Sequence, residues 1–361
     1  VSRARGCGRA VLIAAGVVVL AAGLAILLSA NVRFLLRAGY EEARILLRRR
    51  PIVELVADTS LAPARRAKLQ LTLDARAFGR DSLGLNTGNT YTTFADVGRD
   101  TLVLVLSASP KNRLVPYLWH FPIVGAVPYH GYFSLAAAHA AMRDLEARGF
   151  DTYLRPSDAF STLGWFSDPL VSTALEADST ELVATVLHET AHATLYVPGA
   201  TPFDEGFAQF VGYHGAAAFF AMLGDSARAR EAEAIWHDER LLAVFYAGLA
   251  ARLDTLYASG RTGAALDAAR AAIFTAARRT LVDSLGPEFQ AYRAAWFARR
   301  PLNNASVIAA RIYRTRLAAF DAVLDAHHGD VRAAIRAIVH AEKARAAGED
   351  PYTVLERLAA Q

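Results

Sequence analysis

The chain has 361 residues, 53% of them hydrophobic and 20% charged. So apolar a chain buries enough surface to offset its ordering entropy, which excludes a disordered or fibrous protein. The formal charge of +4 and the pI near 9.2 arise at one end, because residues 1–50 hold nine Arg against Glu41 and Glu42 while the other 311 residues carry 30 basic and 33 acidic groups.

The body is therefore slightly acidic, without the basic stripe that a nucleic-acid-binding domain presents, and no nucleic-acid partner is expected. A single cysteine, Cys7, excludes an intrachain disulfide and a cysteine-based zinc site.

In chain order, residues 11–30 form a run without charge in which Ser29 is the one polar side chain. Twenty residues at about 1.5 Å each make a helix of roughly 30 Å, the thickness of a bilayer's hydrocarbon core. A retained membrane anchor is expected in preference to a cleaved signal peptide, whose apolar core is shorter and ends in small residues at the cut. Arginines flank the run on both sides, so the charges leave its orientation open. Residues 34–82 read as helices broken at Pro51 and Pro63. Strand-like runs follow at 101–106, 122–132 and 151–154, with a helix at 135–148 that stops at Gly149, a natural C-cap. Residues 161–169 read as an ordered loop. Beyond residue 180 the pattern is helical: 180–196, 203–223, 226–258, 262–284, 288–299, 303–327, 330–346 and 351–360.

The expected fold class is α+β: an N-terminal membrane-spanning helix, a small mixed sheet packed on the helix near residue 188, and a largely helical C-terminal half. The corresponding division is a tip and anchor at 1–33, a helical lead-in at 34–100, an α+β catalytic core at 101–223 and a helical region at 224–361.

Chemistry is concentrated at His188-Glu-Thr-Ala-His192. On a helix, residues four apart lie about 40° from each other around the axis, so both imidazoles leave one face and can reach one metal. Glu189 is turned by about 100°, beside the metal, where it can take a proton from the attacking water. Leu182, Val183, Val186 and Leu187 supply a buried face for the helix. Twelve residues further on stands Glu205, in Phe203-Asp-Glu-Gly-Phe-Ala208, after a Pro- and Gly-containing loop that can reverse the chain. A second helix presenting Glu205 from its opening turn would complete two His and one Glu, with a fourth position open as in catalytic zinc sites. One Zn²⁺ per chain is expected; Asp204 is the alternative ligand or a helix cap.

The His-Glu-x-x-His segment followed by Asp204-Glu-Gly-Phe-Ala208 resembles the gluzincin metallopeptidases. More closely, the chain resembles a bacterial family known as predicted aminopeptidases, through Arg49-Arg-Pro-Ile52, Ala75-Arg-Ala-Phe78, Gly131-Tyr-Phe133, Phe160-Ser-Thr-Leu-Gly-Trp-Phe166, Asp168-Pro-Leu170, Leu195-Tyr-Val-Pro-Gly199 and Pro301-Leu-Asn-Asn-Ala305. Members of that family often begin with a lipoprotein signal whose acylated cysteine follows the apolar stretch. Here Cys7 precedes it, and the family's common Asn is Asp204.

The resemblance implies a gluzincin-like fold and a zinc peptidase that hydrolyses peptide bonds, with Glu189 as general base. It also implies a Tyr or His that stabilises the oxyanion, for which Tyr313, Tyr132 and Tyr196 are candidates. Asp204, Gln209 or Asp168 could hold the ligand imidazoles. The remaining histidines show no ligand spacing, and adjacent His327 and His328 read as a helix end. Large aminopeptidases with this kind of site hold the substrate ammonium with a Gly-x-Met-Glu-Asn segment; Gly125-Ala-Val-Pro-Tyr129 lacks its acid. The expected setting is a bacterial inner membrane, single-pass, with the body outside the cytoplasm and peptides as substrates. A cytoplasmic-face endopeptidase and a non-enzymatic envelope protein are the competing expectations.

Overall fold

The computed structural model describes residues 30–99, 101–121, 125–157 and 169–360. The apolar run at 11–30 lies, apart from its last residue, outside the described residues, as do Phe160 to Phe166 and Asp168.

The chain starts with helix α1 (Ala30–Arg48), after which Arg50–Pro51 forms the short strand β1. Helices α2 (Ile52–Ala57) and α3 (Pro63–Asp81) follow, each bounded by one of the two prolines, whose fixed φ suits a helix start. Strand β2 (Thr93–Ala95) pairs antiparallel with β1 and parallel with β8 (Leu170–Val171), giving a small mixed sheet. Strand β3 (Val103–Pro110) is central to a second sheet, antiparallel to β6 (His130–Tyr132) on one side and to β7 (Phe150–Ser157) on the other. Strands β4 (Trp119–Phe121) and β5 (Gly125–Val127) form a hairpin. Helix α4 (Leu135–Ala147) is capped by Ser134 and ends before Gly149, whose φ of 85° only glycine adopts without strain.

The helical half comprises α5 (Ser179–Thr194), α6 (Thr201–Met222), α7 (Ser226–Ala258), α8 (Gly263–Arg279), α9 (Ala294–Ala298), α10 (Asn304–Tyr313), α11 (Ala318–Ala326), α12 (Val331–Lys343) and α13 (Pro351–Ala359). The main core joins residues from α2, α3, α5, α6, α7, α11, α12 and α13 with Phe94 and Leu170 of the mixed sheet. The small mixed sheet thus shares its core with α5, while the antiparallel sheet instead packs under α4 and α10. Phe203 and Phe210 of α6 pack against Phe320 of α11, so this core runs across residue 223.

Two expected helices are shorter than their sequence patterns. The run 303–327 splits into α10 and α11 around Arg316, which has a φ of 51°. The run 288–299 shrinks to α9 because the buried Asp238 carboxylate accepts the backbone N–H groups of Gln290, Ala291 and Tyr292 at 2.9, 2.8 and 2.7 Å. Backbone donors so engaged are lost to a helix.

Among the described residues, α7 alone is long and apolar enough to cross a membrane by length and composition. Its Trp236, Leu242, Leu249 and Leu253 are buried against neighbouring helices, the placement of a core helix.

Candidate metal centre

Helix α5 is buried on most of its circumference. Leu182, Val183, Ala184, Val186, Leu187, Thr190 and Ala191 are inaccessible. The half-buried positions Glu181, Thr185, His188, Glu189 and His192 fall on the remaining stripe, so the two imidazoles share the one opening the helix keeps. Asp178 starts the helix by accepting the N–H of Glu181 at 2.9 Å.

After α5 the chain reverses through Val197, Pro198 and Gly199, where Gly199 has a φ of 82°. Asp204 ties this reversal down, since its Oδ1 accepts the N–H of Val197 at 2.8 Å. Helix α6 then runs back along α5. Its Gly212 sits against Ala184 and His188, where an added Cβ would lie 2.9 Å from the Ala184 carbonyl oxygen. A side chain there would force the helices apart.

This antiparallel crossing carries Glu205 to the two histidines. The Nε2 atoms of His188 and His192 are 3.1 Å apart, and Glu205 Oε2 lies 3.4 Å from the first and 3.6 Å from the second. Three ligands at about 2.0–2.1 Å from a tetrahedral ion stand roughly 3.3 Å from one another. The triangle fits that spacing, and its two nitrogens and one carboxylate oxygen are the donor set of catalytic zinc. Among the described residues it is the one group of three or more His, Cys, Asp or Glu so convergent.

The two histidines and the carboxylate act strongly on one another. Burial alone would push the Glu205 carboxyl up, yet hydrogen bonds and the charges of His188 and His192 hold it down at about 2. Burial would likewise lower His192, but its hydrogen bond to Glu205 and the charges of Glu205, Glu189 and Asp204 raise it. Burial lifts Asp204 to about 6, against the hydrogen bond from Val197.

Helix α6 begins at Thr201, two residues before its expected start, with Pro202 in its first turn. Asp204 therefore occupies the opening turn and serves the loop, while Glu205 comes just after it. Gln209, one turn on, has a buried amide oxygen without a described partner.

Of the three tyrosines, Tyr196 is 68% exposed beyond the end of α5. Tyr132 stacks on His130 at 4.4 Å within the antiparallel sheet, where burial, then Asp144 and Tyr117, pushes its phenol up to about 12. Tyr313, the last residue of α10, is raised first by burial and then by the Glu205 carboxylate, so its phenol stands in the field of the triangle. The start of α10 is anchored on the antiparallel sheet: the Asn304 side chain donates to Pro110 O at 2.8 Å, its N–H donates to Asp151 Oδ2 at 2.9 Å, and Asn303 donates to Thr152 O at 2.9 Å. At the other end Arg314 Nη2 donates to buried Glu239 at 2.7 Å.

Arg155 of β7 also reaches Tyr313, with its guanidinium carbon 5.8 Å from the ring centre. Sequence reasoning missed it, because one arginine in a short strand has no spacing signature. His327 closes α11 with its ring on Val323 O at 2.9 Å.

A sequence model of the family described as putative aminopeptidase matches residues 33–350. No curated protein matches the chain, and no solved structure does.

Proposed function

The chain belongs to the putative aminopeptidase family, which suggests peptidase activity, and on that premise we propose that it is a zinc-dependent peptidase of gluzincin type, anchored in a membrane by residues 11–30. The observation that carries the zinc is the triangle of His188, His192 and Glu205, with sides of 3.1, 3.4 and 3.6 Å. Zinc held there would polarise the scissile carbonyl and lower the pKa of water to about 7. Glu189 takes the proton of the attacking water and passes it to the departing amine, acting as base and then acid. The Tyr313 phenol, kept protonated by burial and by Glu205, donates to the developing oxyanion.

The substrates are peptides, and the family name favours removal of N-terminal residues. The proposed location is a bacterial inner membrane, single-pass, with the catalytic body outside the cytoplasm.

Zinc content of the purified full chain tests the proposal. About one zinc per chain is expected, lost in His188→Ala. Glu189→Gln should keep the zinc while peptide hydrolysis falls by roughly 10²–10⁴-fold. A wild-type protein that takes up no zinc would refute the assignment. Comparing free-amine with N-acetylated peptides tests the exopeptidase part, which equal rates would sink.

A further inference from the structure

We propose that the outward face of α1 is a docking surface for an anionic lipid bilayer, on which the helix lies flat and orients the rest of the chain. This rests on the membrane-anchoring part of the reading above and deepens it by naming the lipid chemistry and the residues that meet it.

One face of α1 is spent on the body. Phe34 packs on His130 and Phe121, with ring centres 4.2 and 5.4 Å away, and buried Ile45 joins a cluster with Ala95 and Val171 of the mixed sheet. Between them the buried Glu41 carboxylate meets Arg37 at 2.5 Å, Arg99 at 3.2 Å and Arg44 at 3.7 Å. The helix is thus fixed to both sheets, and whatever holds α1 also orients them.

The other face is turned outward. Leu36, Tyr40 and Leu47 are 54%, 60% and 86% exposed. At about 100° per residue they fall within about 40° of one another. Arg33, Arg37 and Arg48 are exposed and Arg44 is half-buried. These four occupy roughly the next 60° of the circumference. Leucines and a tyrosine along one edge, with arginines along the next, suit the boundary between acyl chains and headgroups. An arginine there lays its stem on apolar groups and keeps its guanidinium at the phosphates.

Two observations favour a bilayer over a protein partner. Residues 30–50 hold six Arg against Glu41 and Glu42, an excess of +4, whereas residues 51–361 carry 30 basic and 33 acidic groups. The positive charge is gathered on this helix and just past its end, where it complements anionic headgroups. The uncharged run at 11–30, long enough to span a bilayer, also ends where α1 begins, so the face is presented at the membrane. Leu47 lies about 25 Å along the helix from Ala30. An upright helix would leave it in water, whereas a flat one brings it to the acyl boundary with Leu36 and Tyr40.

The test uses the full chain in a Cys7→Ser background with one fluorescent dye, at Leu36→Cys, Leu47→Cys or, as a control, the exposed position Val244→Cys. It is placed in bilayer discs of phosphatidylcholine with graded amounts of phosphatidylglycerol. Nitroxides on the lipid chains and a neutral nitroxide in the water serve as quenchers. As phosphatidylglycerol rises, the dyes at 36 and 47 should become quenched from the lipid and shielded from the water, while the dye at 244 stays open to water. Arg48→Gln, read by the dye at 36, should lower the ratio of shielded to open helix by about 5-fold, the worth of one basic residue at an anionic surface. Arg48→Lys should match the wild type, and all variants should melt as the wild type does in detergent.

Dyes at 36 and 47 that stay open to water at every composition would overturn the docking surface. So would shielding that ignores phosphatidylglycerol or is equal in detergent, the mark of a protein neighbour such as a second copy. A chain that high salt strips from phosphatidylglycerol vesicles, with both dyes shielded beforehand, would remove the anchor and leave the surface standing. A chain that survives the wash with both dyes open to water would do the reverse.

Discussion

Glu181, on the first turn of the helix that carries both histidines, offers a quantitative test of how this core treats charge. Burial, followed by the charges of Asp178, Glu239 and Glu231, pushes its carboxyl from 4.5 up to about 7, and the Tyr213 hydroxyl, donating to it at 3.4 Å, offsets this only in part. A carboxyl whose folded-state pKa is raised resists ionisation in the native state. Its full contribution is present below the unfolded value and is lost as pH rises through the folded one. At about 1.4 kcal/mol per unit the shift is worth up to roughly 3 kcal/mol, and partial exposure reduces that to about 2.

Glu181→Gln keeps the shape and removes the titration. Urea unfolding at pH 4.5 should find the two proteins alike. At pH 8 the Gln variant should be the more stable by about 2 kcal/mol. An equal or less stable variant at pH 8 would show that partners hold the carboxylate ionised, and the argument would fail.

Other outcomes follow from the same packing and hydrogen bonds. Asp238→Ala, which strands the three N–H groups of residues 290–292, should cost about 3–5 kcal/mol in chemical denaturation. Gly212→Ala gains about 1 kcal/mol of helix propensity but overpacks α5 against α6 by up to about 3 kcal/mol; a lower Tm and weaker zinc uptake are expected, and a raised Tm would contradict the close approach. Glu205→Ala should leave the fold intact while competition with a chelator shows weaker zinc binding by at least about 10-fold. Asn304→Ala should lower kcat more than it raises KM, because it loosens the sheet-side anchor of the helix that ends in Tyr313.

Local signals account for what the sequence determined by itself. Hydrophobic period placed most helices within a few residues, prolines and glycines marked their ends, and the i, i+4 spacing put His188 and His192 on one stripe. Glu205 was legible because a short turn-rich loop leaves a following helix little choice but to run back along α5. What tertiary structure alone decided depends on residues far apart in sequence. Asp238 unwinds a segment some fifty residues away, and the Arg314–Leu317 region breaks a run whose composition reads as one helix. Asn303 and Asn304 seat α10 on strands contributed by residues 103–110 and 150–157, which brings Tyr313 and Arg155 together. No periodicity encodes such meetings. They arise where buried donors and charges must find partners, and the completed fold is what supplies them.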